Sequence, residues 1–278
     1  MAKGMALTIG LNSVNPKHYG GWSGDQNACE ADAGDVADIA KAKGFKTQAL
    51  LTRSATRKNV IQAMGKAAGG LQAGDIFLLF YSGHGGQIQD MNNDEDDFQD
   101  ETWCLYDGEL IDDEIFGLLG KFEKGVRIFA LSDSCHSGTV TKAAFYQGTM
   151  GARSAAVGPD RPRYKFMPPD VALRTYRQNR KFYDTILKDP KLTKTLDEVN
   201  ASVVLISGCQ DNQYSSDGTF NSLFTANLLA AWNNGHFKKS YKSFHKAVIK
   251  RMPPDQTPNY YWVGAYDRKF ERQTPFTV

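Results

Sequence analysis

Two apolar stretches of this chain each end on a side chain able to do covalent chemistry. Asp75-Ile76-Phe77-Leu78-Leu79-Phe80-Tyr81-Ser82-Gly83-His84-Gly85-Gly86 delivers an imidazole, and Val126-Arg127-Ile128-Phe129-Ala130-Leu131-Ser132-Asp133-Ser134-Cys135-His136-Ser137-Gly138 delivers a thiol. A thiol beside an imidazole makes an activated nucleophile, because the base takes the proton and the thiolate attacks. Side chains alternate faces along an extended chain. Carried through the strand ends, that alternation sets Ser82 beside His84 and Asp133 beside Cys135. A carboxylate disfavours a neighbouring thiolate by like-charge repulsion. Asp133 therefore needs another task, and holding a cationic substrate group is the natural one.

Both stretches read as buried parallel strands, apolar on both faces and stopped by glycine. Open α/β sheets bind ligands at the carboxyl ends of such strands, which is where His84 and Cys135 fall. In chain order, residues 6–11 read as a first strand and 12–27 as a glycine-rich loop. Residues 28–43 read as a helix with acids early and lysines late, matching its dipole. A second strand spans 45–51, and a helix capped by Ser54 or Thr56 runs to about 68. After the strand 75–82 comes an acidic run, 90–101, with seven carboxylates in twelve residues. Residues 102–106 read as a short extended piece, and Asp112 reads as the cap of a helix ending near 121. Strands are expected at 126–132, 201–208 and 260–263, the last at a sheet edge after Pro258. Helices are expected at 222–234 and 243–252. Strand–helix alternation of this kind predicts an α/β fold, a mostly parallel sheet with helices on both faces.

The motifs Ser82-Gly83-His84-Gly85-Gly86 and Asp133-Ser134-Cys135-His136-Ser137-Gly138 resemble those of metacaspases and orthocaspases, caspase-fold cysteine peptidases of clan CD. The His-to-Cys separation of 135 − 84 = 51 residues is similar to the roughly 50 of caspases. The resemblance implies a six-stranded core, with residues 1–141 as the large-subunit-like part. It makes 142–200 a basic, proline-containing linker and 201–278 a small-subunit-like part completing the same sheet. It implies Cys135 as nucleophile and His84 as base or proton donor. The Gly85 and Cys135 amides are then the best-placed donors for the oxyanion, and His136 is read as structural. Cys29-Glu30-Ala31-Asp32 matches a Cys-x-x-Asp that lines the S1 pocket in metacaspases, so Asp32, Asp133, Ser82 and Cys29 are the expected lining. Two buried carboxylates without a cation are costly, and an Arg or Lys side chain resolves that cost. The implied partner is thus a protein or peptide with Arg or Lys at P1. Gly208-Cys209-Gln210-Asp211-Asn212-Gln213 resembles the small-subunit motif.

The acidic run invites a calcium reading, since Ca²⁺ takes six to eight oxygens. In calcium-dependent metacaspases one acid here, an Asp-Asp pair and an Asp seven residues after the Cys bind the ion. Asp100, Asp112 and Asp113 match three of these, but Lys142 stands at the fourth. Calcium is therefore an optional ligand and no cofactor is required. Two other readings compete: a silent caspase-like binding or scaffold module, and a calcium- or redox-responsive regulator with Cys135 as a sensor thiol.

The net charge of +2 points to neither nucleic acid nor a membrane surface. Four cysteines, Cys29, Cys104, Cys135 and Cys209, form no zinc spacing and suit a reducing compartment. The N-terminus reads as lacking a signal peptide, which makes cytoplasm the expected location. The insert carries Arg153, Arg161, Arg163, Lys165, Arg174, Arg177, Arg180 and Lys181, several near proline or glycine. An enzyme that prefers basic residues is expected to cut itself there, before a helix beginning near Asp170.

Overall fold

The computed structural model describes residues 2–89, 99–134, 165–192, 198–208, 218, 220–254 and 256–278. Six strands form the main sheet: β1 (Gly4–Gly10), β2 (Lys46–Leu51), β3 (Ile76–Ser82), β7 (Arg127–Asp133), β8 (Ser202–Ser207) and β9 (Asn259–Gly264). Their order is β2-β1-β3-β7-β8-β9, parallel except for the antiparallel edge strand β9. The six expected strands are present within a residue or two of their expected bounds. The sheet is sealed on both faces because alternate residues feed different cores. Phe77, Leu79 and Tyr81 of β3 join α2 (Arg57–Gly70) and α3 (Asp112–Leu119) in one apolar cluster. Ile76, Leu78 and Phe80 join α1 (Cys29–Ala42), α6 (Leu223–Trp232) and α7 (Tyr241–Ile249) in the other.

Register then decides what meets at the strand ends. Gly10 of β1, Ser82 of β3 and Asp133 of β7 lie side by side across the sheet. Ser82 has the same parity as Ile76, Leu78 and Phe80, and Asp133 the same as Phe129 and Leu131. The polar ends of both strands therefore belong to the face that α1 and α6 cover.

A second, three-stranded antiparallel sheet departs from the sequence reading. It comprises β4 (Gly85–Gln89), β5 (Gln99–Leu105) and β6 (Gly108–Ile111); only part of β5 was expected, as an extended piece. β4 opens on two glycines and β6 has four residues, so neither carries a readable hydrophobic period. Asp112 is the first residue of α3, not its cap; Ile111 holds that position. The insert forms two helices where one was expected, α4 (Pro169–Gln178) and α5 (Arg180–Leu187), broken at Asn179. Pro169 starts α4, where its missing N–H has no partner to lose. A last helix, α8 (Arg268–Arg272), was not anticipated; Asp267 caps it by accepting from the Lys269 and Phe270 amides at 2.7 and 3.1 Å.

Phe129 ties the middle of the sheet to the C-terminal part of the chain. Its ring meets Tyr241 at 4.8 Å and Phe276 at 5.3 Å, both edge-on. Phe129→Ala leaves a cavity that neighbours on three elements cannot all close, and it is expected to cost about 3–5 kcal/mol. Urea unfolding at constant slope measures it; a loss under 1 kcal/mol would mean this core is not shared as described.

Candidate active site

β3 ends in a tight corner that fixes His84. A Cβ on Gly83 would stand 2.6 Å from the Tyr81 hydroxyl, so only glycine lets the chain turn back over that ring. The Tyr81 hydroxyl donates to the His84 carbonyl at 2.7 Å, and the Cys104 amide donates to the same oxygen at 2.9 Å. Tyr81 in turn stacks on Trp103, with centroids 4.4 Å apart and planes within 5°. The backbone of His84 is thus clamped between the main sheet and β5.

The imidazole is buried under the loop that precedes α1. Trp22 packs on it at 4.7 Å, and Nε2 lies 2.9 Å from the Gly24 carbonyl and 3.1 Å from the Gln26 amide group. The Gly24 carbonyl only accepts, which assigns the proton to Nε2 and the lone pair to Nδ1, with the Gln26 amide then turning its oxygen to Nε2. Nδ1 has no hydrogen-bond partner among the described residues. Burial pushes the imidazole down to about 4; the Gly24 carbonyl resists that fall, and the charge of Lys165 adds to it. At neutral pH His84 is therefore an uncharged base with its lone pair on Nδ1.

The expected cation pocket exists, and it is filled from within the chain. Lys165 is 0% exposed, and its ammonium lies 2.7 Å from Ser82 Oγ, 3.2 Å from Asp133 Oδ1 and 3.3 Å from Asp32 Oδ2. Burial alone would favour the neutral amine. Asp133, Cys29 and Asp32 outweigh it, so the lysine pKa is raised above its ordinary value. Cys29, the buried first residue of α1, thus belongs to the surroundings of the ammonium. Ser82 also donates to Asp32 Oδ2 at 2.7 Å.

The first turn of α6 holds both carboxylates from behind. The Ser222 amide donates to Asp32 Oδ1 at 2.9 Å, its hydroxyl donates to Asp32 Oδ2, and the Asn221 side-chain amide donates to Asp32 Oδ1 at 3.1 Å. Thr225 donates to Asp133 Oδ2 from its hydroxyl at 2.6 Å and its amide at 3.3 Å. Ser222 is the N-cap residue, yet its hydroxyl turns to Asp32 and does not cap the helix. Anions at a helix N-terminus are stabilised by the dipole and the unpaired amides. One helix end therefore steadies the negative charge of both acids.

Lys165 is also anchored by its backbone. The Gly85 amide donates to the Lys165 carbonyl at 3.0 Å, and the Met167 amide donates to the Gly85 carbonyl at 2.7 Å. Phe166 and Gly85 thereby form a parallel bridge.

Of the residues expected to act, the structure gathers His84, Gly85, Asp32, Ser82, Asp133 and Cys29 at this one place. Cys135, His136, Lys142, most of the acidic run and most of the motif at Gly208 lie outside the described residues. Asp100, Asp112 and Asp113 are described, but most of the acidic run around them is not; among the described residues no group of three or more His, Cys, Asp or Glu side chains could hold an ion, and no step below runs through one. Lys165 is one of twelve basic residues in the insert, with nothing local to single it out. Ser222, Thr225, Gly24, Gln26 and Trp22 escaped the sequence reading. Ser222-x-x-Thr225 ahead of an apolar run signals a helix start, but not carboxylate partners 190 and 92 residues away.

Removing the lysine charge should make His84 easier to protonate. In a Cys135→Ala background, Lys165→Met is expected to raise the imidazole midpoint from about 4 toward the ordinary histidine value. NMR titration of the ring reads it, and a midpoint that stays put or falls would contradict this placement of Lys165.

Comparison with known proteins adds family and fold. The caspase-domain model of peptidase family C14 matches residues 3–271. Metacaspase-1A of Neurospora crassa is 31% identical over 252 residues, covering 82% of this chain and 54% of the relative. Metacaspase-1 of Pyricularia oryzae is 31% identical over 257 residues, covering 83% and 63%. The chain thus spans about half to two thirds of the length of these relatives. A crystal structure of protein GSU0716 from Geobacter sulfurreducens superposes with a TM-score of 0.90 at 59% identity, covering 99% of both chains. Caspase-1 of Spodoptera frugiperda gives a TM-score of 0.51 at 9% identity over 95% of this chain and 86% of its own, a likeness of fold alone. The resemblance to metacaspases and the caspase-like fold are borne out. No helix among the described residues is long and apolar enough to cross a membrane.

Proposed function

The chain belongs to the caspase-domain family of cysteine peptidases, and from that membership we propose that it is an endopeptidase that cuts after lysine or arginine. The observation that carries this is Lys165: its ammonium rests on Asp32, Asp133 and Ser82 while its carbonyl accepts from the Gly85 amide. A basic P1 residue would need the same two contacts at once. A guanidinium suits the pocket as well, because two carboxylates can share its fork of donors.

In this reading His84 takes the proton of the Cys135 thiol, the proton it later gives to the departing amine, and the resulting thiolate attacks the carbonyl carbon of the P1 residue. The Gly85 and Cys135 amides receive the developing oxyanion. His84 hands a proton to the departing amine, which leaves an acyl-thioester on Cys135. Water, deprotonated by His84, attacks that thioester and frees the acid. Every group named is a protein group, so the reaction is proposed to need no cofactor.

The same reading makes Lys165–Phe166 the first bond cut, which narrows the expected self-cleavage to one position. The two fragments should remain associated, since β7 pairs with β8 across the cut and β8 with β9. A second reading is favoured by the complete burial of Lys165: the lysine is a permanent structural cation and the pocket never opens.

Mass spectrometry of the incubated protein separates the two. Wild type is expected to give one fragment ending at Lys165 and one starting at Phe166, with or without chelator. Cys135→Ala should stay whole, a loss of several orders of magnitude in rate. Lysyl and arginyl coumarin reporters should be hydrolysed, and aspartyl ones not, because like charges would face each other unpaired. Intact wild-type masses together with silent basic reporters would establish the structural cation instead.

A further inference from the structure

The segment after Lys165 is docked as deliberately as the lysine, and what it occupies is a second recognition surface. This inference rests on the proposal that Lys165–Phe166 is the bond presented to Cys135. We propose that the edge of β4 is the docking site for the peptide downstream of the cut: Gly85 pairs with the first residue after the bond, and a hollow over Gly86 takes an apolar, unbranched side chain at the second.

Gly85 brackets Phe166 with two hydrogen bonds, its amide to the Lys165 carbonyl and its carbonyl from the Met167 amide, at 3.0 and 2.7 Å. Those are main-chain contacts, available to any sequence, and they are how an extended peptide adds to an open strand edge. Specificity then comes from side-chain pockets: Phe166 is itself buried, and the described lining is that around Met167. Met167 is 2% exposed and belongs to the same apolar cluster as Trp103, Leu110 and Val171. A Cβ on Gly86 would stand 2.9 Å from Met167 Cε and 2.8 Å from Thr102 Oγ1. Any larger residue at position 86 would fill the space that Met167 uses. The same Cβ would stand 2.9 Å from Glu109 Oε2, and Thr102 donates to that oxygen at 2.7 Å. A carboxyl at the wall penalises an acidic side chain entering the hollow. Methionine, flexible and polarisable, suits such an irregular gap.

The site reads two downstream residues and no more. Pro168 follows Met167, and α4 begins at Pro169 and packs against β4. The chain's own segment is therefore a tethered occupant with which an incoming peptide competes. That competition weakens every peptide alike, so the ratio between two peptides still reports the hollow.

Two measurements on the full chain test this. In cis, Met167, Met167→Ala and Met167→Asp proteins are followed for the fragment that starts at Phe166. Alanine should slow its appearance about tenfold, as loss of an apolar group from a fitted pocket does, and aspartate by more. Thermal unfolding of each variant in a Cys135→Ala background separates slow cutting from misfolding. In trans, quenched peptides share an upstream half ending in lysine and differ only at the second downstream residue, Met or Asp. The Met peptide should have a kcat/KM at least tenfold higher. A lysyl coumarin reporter, which has no downstream residues, monitors the catalytic groups. Equal rates for Met and Asp, in cis and in trans, with the reporter turned over, would remove the downstream site and leave the peptidase reading intact. Silence of reporter, peptides and self-cleavage in wild type would overturn both.

Discussion

One buried ammonium between two buried carboxylates is the constraint around which this molecule is arranged. Neither Asp32 nor Asp133 reaches water, and a pair of unbalanced carboxylates in that setting would cost several kcal/mol each. Lys165 supplies one positive charge, and the first turn of α6 supplies amide and hydroxyl donors against the remainder. The arrangement is strong only while every member is present. Breaking a buried pair by removing one partner typically costs about 3–5 kcal/mol, because the other charge stays behind. Two carboxylates buried this way need a cation to balance them.

That constraint also joins distant parts of the chain. Asp32 comes from α1, Ser82 from β3, Asp133 from β7, Lys165 from the insert, and Ser222 and Thr225 from α6. Parallel pairing aligns β3 and β7 so that Ser82 and Asp133 are neighbours. Alternation puts both on the face that α1 and α6 cover. The pocket is thus a property of the completed sheet, formed only once β8 and the helix after it have docked.

His84 shows the complementary use of burial. The low dielectric that makes Lys165 need its acids also keeps the imidazole uncharged, and the lysine charge reinforces this. The Gly24 carbonyl then selects the tautomer, leaving the lone pair on Nδ1. The charge state and tautomer of the base are thus set by burial, by the Lys165 charge and by the Gly24 carbonyl.

The amino-acid sequence by itself determined the strand–helix order, the six core strands and the two strand ends that deliver His84 and Cys135. These rest on local chemistry: runs of buried β residues, glycine stops and alternating faces, all legible over six to ten residues. It also yielded Asp133, two residues before Cys135 on the same side of an extended chain, whereas Asp32 came only from the resemblance of Cys29-Glu30-Ala31-Asp32 to the metacaspase pattern. Other features left no local trace. The small sheet of β4, β5 and β6 lacks a hydrophobic period, since its strands are short and one opens on glycines. Ser222 and Thr225 look like an ordinary helix start, because their carboxylate partners are far away in sequence. Lys165 is one basic residue among twelve in a proline-broken insert, and nothing near it in sequence marks it. Only the tertiary structure decided that this lysine meets the two aspartates, because complementary charge acts across space, and which charges become neighbours depends on how the sheet is ordered.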